Sequence, residues 1–355
     1  MSQSSVRWIT TLIGLVIGLS LGLGLTAFTG ENPVRVLQIL LNGAFSTSYG
    51  LGMTLFLWAP LILCGMAVVI PFRAGLFNVG AEGQLTMGAF AAAVTGILLK
   101  DWDSPTAQWA GPCISALMAF LAGAGWGGIA GWLRVKRGSH EVISTIMLNF
   151  RAYALTSYGT LYLFKRTDAM DPSTEAVGPA FILNRISWFD GAPVTVILGL
   201  VVVVVVLLEI YLRKSRFGFE LKSVGLNETA AQFSGMNPGR TRMLAMALGG
   251  GFAGCVGIVE VLGNSGRFIM GFSPGYGFIG IAVALLARGN GFAVLPSAFL
   301  FAALQKGAGD LDMETETVTR EVSSLFQAFV ILSVGASVWL EKKWVEIFPR
   351  RGSES

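Results

Sequence analysis

Apolar residues in this chain occur in long blocks separated by short polar stretches, and most blocks approach twenty residues. A helix of that length measures about 30 Å, the thickness of the hydrocarbon core of a bilayer. Membrane-spanning helices are therefore predicted at 8–28, 51–70, 80–99, 109–133, 142–164, 193–212, 243–263 and 321–340. The block at 8–28 is longer than the 7–15 apolar residues of a signal peptide, so we expect a retained helix rather than a cleaved leader.

Two apolar pieces, 276–287 and 292–305, are too short to cross a bilayer unaided. They are either short spans extended by their flanks or a re-entrant helical hairpin. With either reading, the fold class is an all-α, polytopic integral membrane protein with about ten transmembrane helices. The whole of 1–355 is expected to form one transmembrane domain.

Composition supports a helical membrane protein. Hydrophobic residues make up 53% of the chain and charged residues 13%, against about 25% charged in globular proteins. Glycine occurs 46 times, and small residues allow transmembrane helices to approach closely. The repeated glycines predict two helix-packing faces, which consist of Gly123, Gly127 and Gly131 on one span and Gly250 and Gly254 on another.

The distribution of basic residues predicts the orientation. If the N-terminus is inside, the inner segments contain about twice as many Lys and Arg residues as the outer segments. Both termini are therefore expected in the cytoplasm, and the net charge of +4 reflects orientation rather than nucleic-acid binding. Arg151 lies within a predicted span, whereas Asp310 and Glu314 are expected in an acidic outer loop.

Several kinds of chemistry are excluded by residues that the sequence lacks. The three cysteines are far apart in apolar runs, and His140 is the single histidine, so neither a disulfide framework, a metal site nor a Ser/His/Asp triad is expected. No G-x-x-x-x-G-K-[ST] sequence is present. This chain is therefore not expected to be an enzyme or to hold a cofactor, and ATP chemistry would require a partner.

The stretch Pro71–Phe90 joins two predicted spans and is rich in glycine. Asn78, Glu82 and Gln84 lie in it, and a carboxylate inside a membrane is a candidate functional group. The alternative is that Glu82 lies at the cytoplasmic interface. A similar glycine-rich segment occurs at 275–280, before a span of opposite direction, which predicts an inverted repeat of about 51–164 and 243–340.

The longest cytoplasmic loop, 213–242, is predicted to contain one short helix at about 227–234. Asn227 is a possible N-cap, and Gly235 would end the helix. Such a helix either docks a soluble partner or lies on lipid headgroups, held by basic flanks.

Four stretches together carry a family resemblance: FRAGLFNVGAEGQ at 72–84, GSHEVISTIMLN at 138–149, SVGLNETAAQFSGMNPGRT at 223–241 and GYGFIGIAVALLARGN at 275–290. In this order they resemble the permease subunits of bacterial ABC importers of the branched-chain amino acid and simple-sugar superfamily. Within this superfamily, the motif FN-x-GAEGQ is most similar to the sequences of the nucleoside-uptake permeases.

The resemblance implies a bacterial inner-membrane importer with several subunits. An external solute-binding protein would deliver solute, a second permease chain would complete the pathway, and two ATP-binding subunits would drive transport. The loop 213–242 would be the coupling segment, in which Ala230, Ala231 and Gly235 match part of the docking motif. Glu228 lies two positions ahead of the alanines instead of next to them.

A nucleoside site requires aromatic faces for the base and amide or carboxylate groups for the polar edges. The candidate solute contacts are Asn78, Glu82, Gln84, Asn149, Glu260, Tyr276 and Phe278. Each of these has a structural alternative as helix-packing or interfacial residue. Nucleoside import is the expected function; the alternatives are import of a simple sugar such as a pentose, or an ion-coupled secondary carrier.

Overall fold

The computed structural model describes residues 3–28, 30–102, 104–166 and 171–315, with short helical pieces at 324–326, 328–330, 332–333 and 336. This part of the chain is helical, and its β-structure consists of three isolated bridges. Its α-helices are α1 Gln3–Phe28, α2 Pro33–Phe45, α3 Ser48–Arg73, α4 Ala81–Leu98, α5 Ala107–Arg137, α6 Glu141–Tyr158, α7 Ile197–Lys214, α8 Arg216–Leu226, α9 Glu228–Phe233, α10 Pro238–Gly254, α11 Tyr276–Leu286 and α12 Gly291–Glu314.

Four helical stretches of the described residues are long and apolar enough to cross a bilayer by themselves: Ser48–Arg73, Ala107–Arg137, Pro238–Ser265 and Gly291–Leu311. The shorter apolar helices are Ile13–Phe28 and Tyr276–Leu286. The predicted all-α membrane class is confirmed. The predicted span 321–340 falls largely outside the described residues, and the C-terminus lies wholly outside them.

The chain divides into two compact units, of which the smaller contains Met1–Thr54 and Leu300–Ser355. Its core is apolar and includes Val36, Leu40, Leu311 and Phe326. α2 begins at a proline, after Asn32, whose side-chain oxygen accepts a hydrogen bond from the Val34 amide at 2.9 Å. This N-cap satisfies one of the free amides of the first turn.

The larger unit, Leu55–Phe299, is built on close contacts between α5 and α10. A Cβ atom placed on Gly123 would lie 2.8 Å from the Gly254 Cα and would also meet the Gly250 carbonyl oxygen. A Cβ on Gly127 would likewise meet the backbone of α10 and would lie 3.1 Å from the Gly250 Cα. The predicted packing faces are therefore confirmed, because backbone touches backbone where side chains are missing.

α4 packs on α10 in the same way. A Cβ on Gly88 would meet the Gly254 backbone, and one on Gly257 would lie 2.5 Å from the Ala89 Cα. α4, α5 and α10 thus form a tight group of three helices. Their outer ends are covered by an irregular segment that buries Val177 and Phe181 among the alanines of α4.

Three predictions of local structure are corrected. α2 was not predicted, because its 13 residues alternate between buried and exposed positions and are too few for a span. The loop 213–242 contains α8 as well as the expected short helix. The second short piece extends to Glu314, so Asp310 lies on α12 and not in an outer loop. Lys306 pairs with Asp310 one turn later at 2.6 Å, which allows the helix to continue through polar residues.

Candidate solute pathway

Two helices of the larger unit begin at glycines. α4 starts after Gly80, and α11 starts after Gly275, which has a φ of +95°. Neither glycine has a side chain with which to cap its helix. The first amides of a helix have no intrahelical acceptor, so other residues must supply acceptors for α4 and α11.

Glu82 supplies an acceptor for α11. Its Oε2 accepts a hydrogen bond from the Gly277 amide at 2.7 Å. The side chain is buried, with 2% exposure. A carboxylate at a helix N-terminus is favourable because the helix dipole is positive there. Glu82 therefore lies inside the protein and ties α4 to α11.

Asn149 on α6 supplies the acceptor for α4. Its Oδ1 accepts from the Gly83 amide at 2.8 Å, and its Nδ2 donates to the Val79 carbonyl oxygen at 3.0 Å. Both ends of the amide group are occupied by backbone. In this conformation Asn149 joins α6 to the start of α4.

Asn78 and Gln84 form a reciprocal amide pair. Asn78 Nδ2 donates to Gln84 Oε1 at 2.9 Å, and Gln84 Nε2 donates to Asn78 Oδ1 at 3.0 Å. Asn78 also bonds to the Ala67 carbonyl and to the Gly80 amide, each at 3.0 Å. Both residues are buried, so the pair stabilises the break between α3 and α4.

Glu260 and Tyr276 form the second carboxylate contact at the start of α11. The Tyr276 hydroxyl donates to Glu260 Oε1 at 2.8 Å, and Asn264 Nδ2 donates to Oε2 at 3.2 Å. Glu260 and Asn264 belong to a π-helical segment, Ile258–Ser265, that follows α10. Both Glu260 and Tyr276 are buried.

Phe278 does not belong to this group. It is 52% exposed, although it lies only two residues after the buried Tyr276. The structure therefore brings six of the seven predicted residues into one buried assembly around the starts of α4 and α11, which we call the half-helix junction. Its residues are Asn78, Glu82, Gln84, Asn149, Glu260 and Tyr276.

The half-helix junction consists of amide bonds and of hydrogen bonds from neutral donors to two carboxylates. Neither Glu82 nor Glu260 pairs with a Lys or Arg side chain among the residues that the structure describes. These bonds join α4, α6, α11 and the segment after α10 at one place.

Sequence reasoning missed two members of the junction, Ser273 and Asn264. Ser273 could have been found, because it lies three residues before Tyr276 and accepts from the Tyr276 amide at 3.1 Å, as an N-terminal cap does. Asn264 carried no comparable signal, because its bond to Glu260 depends on the π-helical geometry.

The short helix α9, Glu228–Phe233, confirms the predicted helix at 227–234. Asn227 Oδ1 accepts from the Ala230 amide at 3.0 Å, as predicted for an N-cap. Gly235 has a φ of +78°, and the next amide, of Met236, donates back to the Ala231 carbonyl at 3.1 Å. This is the geometry of a glycine that ends a helix.

One face of α9 is apolar and exposed. Leu226, just before the helix, is 77% exposed, and Phe233 is 89% exposed. Ala231 points inward and is buried, whereas Ala230 is exposed. Glu228 pairs with Arg242 on α10 at 2.7 Å, which fixes the helix to the start of a long membrane helix.

An ion-pair group joins α3 and α7. Glu209 accepts from Arg213 one turn later on the same helix at 2.8 Å, and also from Arg73 at 2.6 Å. Glu209 is buried, so its carboxylate requires both partners. Only the tertiary structure shows that Arg73, 136 residues away, is one of them.

Comparison with known proteins gives the family. Residues 50–335 match the profile described as branched-chain amino acid transport system / permease component. The guanosine ABC transporter permease protein NupP of Bacillus subtilis is 34% identical over 92% of this chain and 92% of its own length. The nucleoside ABC transporter permease protein NupB of Lactococcus lactis is 29% identical over 96% of this chain and 94% of its own.

A glucose ABC transporter permease protein, TsgB13 of Haloferax volcanii, is 33% identical over 98% of this chain and 91% of its own length. All three relatives are permeases, and each aligns with nearly the whole chain. The resemblance inferred from the four motif stretches is thereby confirmed. This chain belongs to the branched-chain amino acid transport system / permease component family, and it is a membrane-embedded permease component of an ABC transporter.

Proposed function

We propose that this permease imports nucleosides. The observation that carries the proposal is the match, along more than nine tenths of both chains, to relatives named for guanosine and nucleoside transport. The glucose permease of Haloferax volcanii supports a second candidate, import of a simple sugar, because its identity and coverage are similar.

The transporter is expected to contain further subunits. A second, related permease chain completes the pathway, two ATP-binding subunits hydrolyse ATP on the cytoplasmic face, and an external binding protein or lipoprotein delivers the solute. Both termini of this chain lie in the cytoplasm, on the side of α9. The inverted repeat of 51–164 and 243–340 is supported by the contact between the starts of α4 and α11, one from each half.

The half-helix junction acts as the gate of the pathway in this proposal. Its six residues bond in pairs or to the backbone at the starts of α4 and α11, and in this proposal opening of the pathway requires these bonds to break. Their polar atoms can then form hydrogen bonds with the hydroxyls and base edges of a passing solute.

Uptake assays test the proposed solute and energy source together. Native cells are given labelled nucleosides, pentoses and glucose, with a strain lacking this gene as the blank. We expect gene-dependent uptake of nucleosides that requires ATP and survives an uncoupler of the proton gradient at constant ATP. Uptake restricted to sugars would favour the second candidate, and loss of uptake with the uncoupler would indicate a secondary carrier.

Coupling through α9 gives a separate prediction. Gly235→Val places a β-branched residue at a φ of +78°, a conformation that such residues rarely adopt. The end of α9 should therefore shift, and nucleoside uptake should fall about tenfold or more while the protein still inserts in the membrane. ATP hydrolysis and uptake are measured together in the assembled transporter.

The matched control is Gly235→Asn, because asparagine tolerates positive φ and ends helices in the same way. This variant should keep most of the uptake. Normal uptake in Gly235→Val would show that α9 does not couple ATP hydrolysis to transport.

A further inference from the structure

α6 carries a charged residue near the middle of the helical segment Glu141–Leu163, within the predicted span 142–164. Arg151 lies ten residues after Glu141, the first residue of the helix, so it is about 15 Å along the helix axis. Its side chain is exposed. Between residues 3 and 315, no described residue forms a hydrogen bond or ion pair with it.

A guanidinium at this depth is not expected to face lipid. Charged groups inside membranes face the bundle interior or a water-filled cavity, or they pair with another group. Snorkelling is also unfavourable here, because Arg151 lies more than two turns from either end of the helical segment that runs from Glu141 to Leu163. The face of α6 that carries Arg151 is therefore expected to border water or a partner group and not lipid.

Aromatic, small and aliphatic residues accompany Arg151 on this face, since Met147 and Leu155, one turn before and after it, are each 53% exposed. Tyr158 follows seven residues later, two turns along the helix and on the same side, and it is 58% exposed. Its ring lies 5.1 Å from that of Tyr162, which is 73% exposed. Ala154, between Arg151 and Tyr158, is exposed and small, so it leaves room between the guanidinium and the rings.

We propose that this face of α6, which carries Arg151, Ala154 and Tyr158, is a wall of the solute pathway and contacts the nucleoside directly. This rests on the proposed function. Arg151 and Tyr158 are about 10 Å apart along the axis, which is close to the length of a nucleoside. The aromatic ring stacks on the base or sugar, and the guanidinium donates hydrogen bonds to a base edge.

The parallel N–H donors of the arginine guanidinium determine which bases it binds best. Arginine pairs with adjacent acceptors such as O6 and N7 of a 6-oxopurine, whereas adenine presents a donor at N6. Wild-type transporter is therefore expected to prefer inosine or guanosine over adenosine. Glutamine pairs with N6 and N7 of adenine, so Arg151→Gln should move the preference towards adenosine.

Uptake of labelled inosine and adenosine in native cells, with all natural partners present, measures this effect. Arg151→Gln should reduce inosine uptake by about tenfold or more, with a smaller loss for adenosine. Arg151→Lys should restore part of the inosine uptake because the charge remains. Val203→Ala is the control, since Val203 on α7 is at a similar depth, is 53% exposed and carries no polar group.

Cysteine labelling tests whether the face is wet, independently of any solute. Arg151→Cys and Val203→Cys are made in a chain carrying Cys113→Ser and Cys255→Ser, and the assembled transporter is treated with a water-soluble thiosulfonate. Position 151 should react about tenfold or more faster, because the reactive thiolate requires water. Inosine together with the external binding protein should slow the reaction at 151 and leave 203 unchanged.

The outcomes separate this inference from the proposed function. Absence of nucleoside uptake in the wild type would show that the proposed function is wrong. With nucleoside uptake present, equal labelling at 151 and 203 would overturn the inference alone. It would also be overturned if Arg151→Gln left both uptake and the inosine preference unchanged, or if the variant failed to co-purify with the second permease chain, since Arg151 would then bind that chain.

Discussion

Replacing Glu82 with alanine is expected to destabilise the permease and to reduce uptake about tenfold or more. The carboxylate accepts from the Gly277 amide at 2.7 Å. Alanine would leave this donor without an acceptor. Each buried, unsatisfied donor costs about 1–3 kcal/mol, and 1.4 kcal/mol corresponds to a factor of about ten.

Thermal unfolding of the purified transporter and uptake by native cells measure the two effects of Glu82→Ala. Glu82→Gln keeps one acceptor oxygen and nearly the same volume, so it should recover a substantial part of the stability. Glu175→Ala is the control for loss of a glutamate, because Glu175 is half exposed and pairs with an equally exposed Lys100 at 3.2 Å; exposed pairs contribute at most about 1 kcal/mol. Unchanged unfolding in Glu82→Ala would contradict the role of Glu82 as a cap for α11.

Valine at Gly123 is expected to prevent correct folding of the larger unit. A side chain at this position would meet the Gly250 carbonyl and the Gly254 backbone on α10. Backbone atoms cannot move aside as a flexible side chain can, so α5 and α10 would have to separate. Separation would remove the close contacts on which transmembrane helix association depends.

Gly125→Val provides the matched control on the same helix. A Cβ at Gly125 has no described atom within 4 Å, so the substitution changes helix propensity equally but adds no clash. The amount of protein in the membrane and its elution as a single species in detergent are compared for both variants. We expect Gly123→Val to give little or aggregated protein and Gly125→Val to resemble the wild type. Similar behaviour of the two variants would contradict close packing of α5 on α10.

The candidate site was predicted in part from single residues. Intramembrane Glu82 and Glu260 were recognisable because charged groups in apolar blocks are rare and functional. Their roles were not recognisable, since the partners Gly277 and Tyr276 lie far away in sequence or across a helix break. The sequence predicts all seven as solute contacts, whereas the structure bonds six of them in pairs or to the backbone at the starts of α4 and α11.

The exposed face of α6, in contrast, was not recognisable from the sequence. The sequence placed Arg151 in a span but offered no reason to single it out, since a charge in a helix can be paired on any side. Exposure of Arg151, together with Tyr158 on the same face, became apparent only when the neighbours of α6 were known. Burial depends on packing between helices, which a periodic pattern in a single helix does not specify.

The sequence by itself determined the membrane class, the approximate positions of most long helices, the glycine packing faces, the helix α9 with its Asn227 cap and Gly235 end, and the family. These features depend on residues close in sequence, because hydrophobic length, caps and positive φ are local properties. Only the tertiary structure decided that α4 and α11 meet at their N-termini, that Glu82 caps α11, and that Arg73 shares Glu209 with Arg213. Those contacts join residues far apart in the chain, and they arise because buried amides and charges must find partners wherever the fold brings them.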